Sequence, residues 1–152
     1  MKRSAVWSVA AALALGLASG ALAEEVTYRK HIKPLFDAKC VKCHGTDSAP
    51  ELGDFKENKE AWMTKSKGMR MDTYSHLLYY VTWPDTGAIM RRLDDGKNTK
   101  DGEPGNMHEF LGETDAEKAK NLAVFKEWVG SWSLKRRKDA TKDDIEAIKA
   151  KY

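Results

Sequence analysis

The 152-residue chain contains two cysteines, and both fall in one pentapeptide, Cys40-Val41-Lys42-Cys43-His44. Two thiols spaced C-x-x-C and followed at once by a histidine form the signature of c-type haem attachment. The thiols add across the two haem vinyl groups to make thioethers. Their spacing places both sulfurs on one side of a single helical turn, and the imidazole can then rise beneath the iron as the proximal ligand. Rival chemistries fit less well. A redox disulfide of this spacing belongs in a βαβ setting, which the sequence lacks. Zinc would want four protein ligands, and there is no second cysteine pair. A disulfide between such close neighbours would staple little of the fold.

A proximal histidine leaves one axial position on the iron, and its occupant decides what the haem can do. A methionine thioether gives a six-coordinate, high-potential electron carrier, a second histidine gives a lower potential, and an open site permits gas or peroxide chemistry. The candidates are Met63, Met69, Met71, Met90, Met107, His31, His76 and His108. Met90 lies in an apolar helical stripe and reads as core. Met69 and Met71 flank Arg70 before a helix start. His31 and His76 read as boundary histidines. Met107, with His108 beside it, follows a glycine-rich loop that can approach another surface closely. Haem propionates need donors or solvent, and Trp83, Arg91 and Arg92 are candidates. The loop at Pro50 is placed to orient the His44 imidazole through a backbone carbonyl.

The elements that must position these groups read as helices, and no segment alternates like a strand. Ile32, Leu35, Phe36 and Cys40 share one helical face leading into the motif. Thr27 is placed to cap that element, and Pro34 requires either a helix start near Lys33 or a preceding turn around Tyr28–Lys30. A weak helix is expected over Lys59–Lys65. A better one follows Asp72 as N-cap and stops before Pro84. A short one runs from Thr86 to Asp94, burying Ile89 and Leu93. The spacing of Thr114 and Glu117 predicts a capping box opening a long helix from Asp115 to about Leu134. The basic run Lys135–Lys138 follows, and Thr141 with Asp144 opens a short tail helix.

This plan resembles the class I cytochromes c. In that family the haem motif follows a first helix, the sixth-ligand methionine sits on a loop before a long C-terminal helix, and the terminal helices cross. Here the motif follows the first element, and Gly105-Asn106-Met107-His108 precedes the helix from Asp115. The resemblance covers about residues 28–134 and implies Met107 as the sixth ligand. The stretch Leu52–Asp101 does not map residue by residue. With Ile32-Lys33-Pro34-Leu35-Phe36 before the motif, the plan also resembles small periplasmic monohaem cytochromes of metal-reducing, electrode-active bacteria, of the PccH type. The implied fold is all-α, one domain around one covalent haem c.

Residues 1–23 read as a cleaved signal peptide: Lys2 and Arg3, an alanine-rich apolar stretch, then Ala21-Leu22-Ala23. The stretch is short for a bilayer span of ~20 predominantly apolar residues. That leaves residues 24–152 as one cytochrome domain, with a core at about 28–134 and a basic run and tail at 135–152. The location expected is the periplasm, with no transmembrane anchor after cleavage. The formal charge is +3, and it falls by two without Lys2 and Arg3. Two propionates would make it slightly negative, so a nucleic-acid partner is not expected. The expected role is electron transfer between redox protein partners, membrane or outer-surface cytochromes among them, by a monomer that transforms no substrate. The alternative is a haem-based gas sensor or small haem enzyme with a displaceable sixth ligand. The basic run either steers an acidic partner or is a solvated face.

Overall fold

Thr27 caps the first element, its hydroxyl accepting the Lys30 N–H. In the computed structural model, which describes residues 24–152, a π-turn at Tyr28–Ile32 runs directly into helix α1, Lys33–Lys39. Pro34 is therefore in the first turn of α1, where its missing N–H costs nothing. The turn before the helix resolves the awkward position of that proline. The expected leader at 1–23 lies outside the described residues.

Seven further helices follow. They are α2 (Val41–His44), α3 (Leu52–Glu57), α4 (Lys59–Thr64), α5 (Tyr74–Val81), α6 (Ala88–Leu93), α7 (Asp115–Val129) and α8 (Lys142–Glu146), with a 3₁₀ turn at His108–Leu111 before α7. The described residues form no strand. No helix among them is long and apolar enough to cross a membrane. Helix α5 is capped by Thr73, which accepts from the His76 N–H, and not by Asp72. The Asp72 carboxylate is occupied by Thr46 and Arg70.

Helix α7 is half of a capping box. Thr114 accepts the Glu117 N–H at 3.2 Å, but the Glu117 carboxylate goes to the Glu113 N–H and to Lys39. The helix ends at Val129 because Gly130 turns to φ 79°, which costs any other residue strain. The apolar stripe alone predicts a helix reaching Leu134, and the turn at Gly130 cuts it short. Trp132 instead leaves the helix to reach a buried carboxylate, described below.

Ile32, Leu77, Val81, Met90, Leu111, Phe125, Trp128 and Val129 are almost wholly excluded from solvent and pack as one core between the first element and α5, α6 and α7. Each large side chain contributes roughly 1.5–3 kcal/mol by leaving water. The segment after Leu134 returns to this core. Lys149 N–H donates to Val129 O at 2.9 Å and Ala150 N–H to Trp128 O at 2.8 Å. The carbonyl of Lys151 accepts both the Tyr28 N–H and the Trp128 indole N–H, each at 2.8 Å. The Tyr28 and Trp128 rings lie 6.5 Å apart, so the first and last long elements meet at this point.

Candidate functional site

Helix α1 delivers the motif as a tight turn. The Phe36 carbonyl accepts the Cys40 N–H at 2.7 Å, and the Cys40 carbonyl accepts from Cys43 and His44 at 3.1 and 3.0 Å. Cys40, Cys43 and His44 are therefore brought onto successive positions of one turn. Val41 and Lys42 between them face solvent. Both cysteines are unpaired and half-buried. Burial pushes the Cys40 thiol up to about 12, with Cys43 nearby adding to the effect. Among the described residues no group of three His, Cys, Asp or Glu side chains could hold a metal ion by itself. The donor set fits a group that brings its own equatorial ligands, as a porphyrin does.

The imidazole of His44 has its tautomer set by the backbone. Its Nδ1 lies 2.8 Å from the Met69 carbonyl oxygen, which can only accept, so Nδ1 carries the proton. Nε2 is left with its lone pair for a metal. Burial lowers the pKa of the ring, while the Met69 bond works in the opposite direction. The expectation that the loop at Pro50 would orient this ring is corrected here. The Pro50 carbonyl accepts the Arg70 N–H at 2.8 Å, and Met69 supplies the orienting oxygen instead.

Met107 sits on the far loop, half-buried against the core, as the residue before the 3₁₀ turn. Its N–H donates to Arg92 O at 2.9 Å, and the Gly105 N–H donates to Asp94 O at 2.8 Å. Gly105 approaches the end of α6 so closely that a Cβ there would lie 2.4 Å from the Arg91 and Arg92 carbonyls. The glycine is needed for contact with α6, and that contact fixes where Met107 emerges. Met90 is 1% exposed and fills the core. Each histidine outside the motif has neighbours of its own. His108 Nδ1 donates to Leu93 O at 3.1 Å, His31 Nδ1 accepts the Thr27 N–H, and His76 lies between Glu51 and Asp72.

The loop before Met107 is organised by a residue that sequence reasoning missed as a structural centre. Asp94 is fully buried, and its carboxylate accepts from the Gly96 and Asn98 N–H groups, the Asn98 side chain and the Trp132 indole. Burial pushes this carboxyl up, but hydrogen bonds, led by those from the Asn98 side chain and Trp132, outweigh it and hold it below the usual range. The Asp-x-Gly-x-Asn spacing was its only signal.

The candidate propionate donors have partners within the chain. Arg91 spreads its guanidinium over the Thr86 and Lys135 carbonyls and Asp85, and Arg92 donates to Asn106. Trp83 is 61% exposed with the Arg137 guanidinium 4.3 Å from its ring centre. In the basic run, Lys135 pairs with Asp144 at 2.7 Å, so Lys135 and Arg137 both have partners within the chain.

Known proteins bear on this arrangement. A family model described as PccH cytochrome c matches residues 27–152. The solved structure of monohaem cytochrome PccH from Geobacter sulfurreducens is 60% identical in sequence. It covers 85% of this chain and 100% of its own, with a TM-score of 0.79. No curated protein matches the chain.

Proposed function

We propose, for a chain that belongs to the PccH cytochrome c family and carries one covalent haem c, a periplasmic role passing single electrons between redox protein partners. In this reading Cys40 and Cys43 hold the haem through thioethers, His44 is the proximal ligand and Met107 the sixth. Bound haem supplies a single iron that alternates between ferric and ferrous states. The protein's part is to fix the ligands so that neither state requires rearrangement.

The observation that carries this reading is the His44 ring. Its Nδ1–H is already committed to Met69 O at 2.8 Å, in the turn that also bears both thiols. A histidine so oriented presents Nε2 to a metal without a search among tautomers or ring positions. For Met107, support comes from the backbone bond to Arg92 O and the close approach of Gly105 to α6, which hold its loop in place. Residues 24–152 would form one domain, exported by the leader at 1–23.

The decisive experiment is spectroscopic. Ferric protein should show the weak near-infrared sulfur-to-iron band, and Met107→Ala should abolish it. A band that survives the substitution would remove Met107 from the assignment.

A further inference from the structure

Arg29, Arg70, Arg91 and Arg92 each donate guanidinium N–H groups to oxygens of the chain. Arg137 does not. Its guanidinium carbon lies 4.3 Å from the centre of the Trp83 ring, and among the described residues this guanidinium has no hydrogen-bond or carboxylate partner. Attraction to the ring holds the cation in place without using its planar set of N–H donors. Trp83 is itself mostly exposed, which leaves a large apolar ring in water. Tryptophan and arginine are the residue types that most often dominate the energy of protein–protein contacts.

These two side chains border a groove between the end of α5 and α8, with a volume of about 440 Å³. Ala140 and Ile145, both half-buried, supply apolar lining. A concavity of that size has room for a few side chains. Charge decides what kind. Arg136, Arg137 and Lys138 are exposed, but so are Asp139, Asp143 and Glu146 on the same segment. The face is therefore mixed in sign. A flat anionic surface such as a lipid bilayer would meet those acids along with the bases, and it could not enter the groove. A second copy docked face to face would set Arg137 against its own like. One carboxylate aimed at the Arg137 donors, with an apolar side chain beside it in the groove, meets neither obstacle.

We propose that Trp83, Arg137 and Ile145 form a docking point for a protein segment that carries a carboxylate beside an aliphatic side chain. The Arg137 fork takes the two carboxylate oxygens, the aliphatic group fills the groove against Ile145, and Trp83 covers it. Because the Trp83 ring already restricts the guanidinium, less side-chain freedom is lost on binding. The inference deepens the carrier reading, on which it rests for the presence of a protein partner. The site is distinct from the attachment turn. The loop after that turn is tied through Thr46 to Asp72, just before α5, whereas Trp83 lies past the other end of the same helix. Eight residues of helix put about 12 Å between those ends. A partner held here is anchored away from Cys40–His44.

The test uses the ferrous, ¹⁵N-labelled holoprotein and a capped peptide of sequence Gly-Ser-Asp-Leu-Glu-Ser-Gly. Titration into the millimolar range should shift the Trp83 indole N–H and the Ile145 amide along a saturating curve. The same peptide with Asn and Gln in place of its acids should shift neither. Arg137→Ala should weaken binding about tenfold, as expected for loss of a charge-assisted contact. Arg137→Lys should not restore it, because an ammonium lacks the fork. Lys138→Ala, an exposed neighbour, should keep the affinity within about twofold. No response to the acidic peptide would overturn the inference. Equal losses in Arg137→Ala and Lys138→Ala would also overturn it, by showing diffuse attraction in place of a directed contact. A stronger response of Trp83 to phosphatidylglycerol vesicles than to peptide would give the surface to a membrane, and a shift on concentrating the protein alone would give it to a second copy. Either result sinks the proposal. The carrier reading is judged separately, by whether the holoprotein cycles reversibly between ferric and ferrous forms. Reversible cycling without peptide binding removes the docking point alone.

Discussion

Trp132 donates its indole N–H to the buried carboxylate of Asp94 at 2.8 Å, joining the segment after α7 to the loop that carries Met107. The pair accounts for the path the chain takes once Gly130 has ended the helix. It also identifies the group on which the distal loop depends.

Asp94→Asn should destabilise the protein by about 2–3 kcal/mol, because one carboxylate oxygen takes the Asn98 side chain and Trp132 while the other takes the Gly96 and Asn98 N–H groups, and an amide must turn its NH₂ toward one of these pairs of donors. Urea unfolding of the holoprotein measures this. The near-infrared sulfur band should weaken in parallel if the loop loosens around Met107.

The same carboxylate predicts an acid dependence. Its folded-state pKa is depressed, so its contribution is complete above the ordinary aspartate range of about 4 and is lost as pH falls through the folded value. Wild-type stability should therefore fall on acidification below about pH 4, and Asp94→Asn should show a shallower fall over that interval. Equal slopes for the two proteins would show that Asp94 does not drive the loss.

Removing Lys149–Tyr152 should cost about 2–4 kcal/mol, since Tyr28 N–H and the Trp128 indole both lose their acceptor on Lys151. Amide hydrogen exchange gives a site-specific reading. Protection at Tyr28 should drop most, with smaller losses along α1.

Carbon monoxide distinguishes the carrier from a sensor. With a thioether held on the sixth position, the reduced protein should resist the gas at neutral pH, and Met107→Ala should bind it readily. Rapid, tight binding by the wild type would favour the sensor.

What could be read from the sequence was local. Cys40, Cys43 and His44 belong to one turn, and their residue types alone specify the chemistry. Pro84, Thr114 and Thr141 mark element ends because capping and proline restriction act over a few residues. The orienting oxygen of Met69 could not be read in this way, because every residue has a carbonyl and only the path of the chain selects one. Helix α3 was missed because its single buried side chain, Phe55, makes no stripe. The partners of Arg91 could not be read either, because a guanidinium can serve the Thr86 and Lys135 carbonyls and Asp85 as well as an anion, and only the path of the chain brings those oxygens to it.

The bonds from Lys151 to Tyr28 and Trp128 have a consequence for the order of assembly. Tyr28 opens the element that leads into the attachment turn, yet its partner lies at the far end of the chain. Closing that loop spans nearly all the described residues and is entropically slow. During synthesis the cysteine turn emerges long before the tail that closes over its supporting helix. The chain thus has an interval, set by its own topology, in which the thiols are presented while the fold around them is still open.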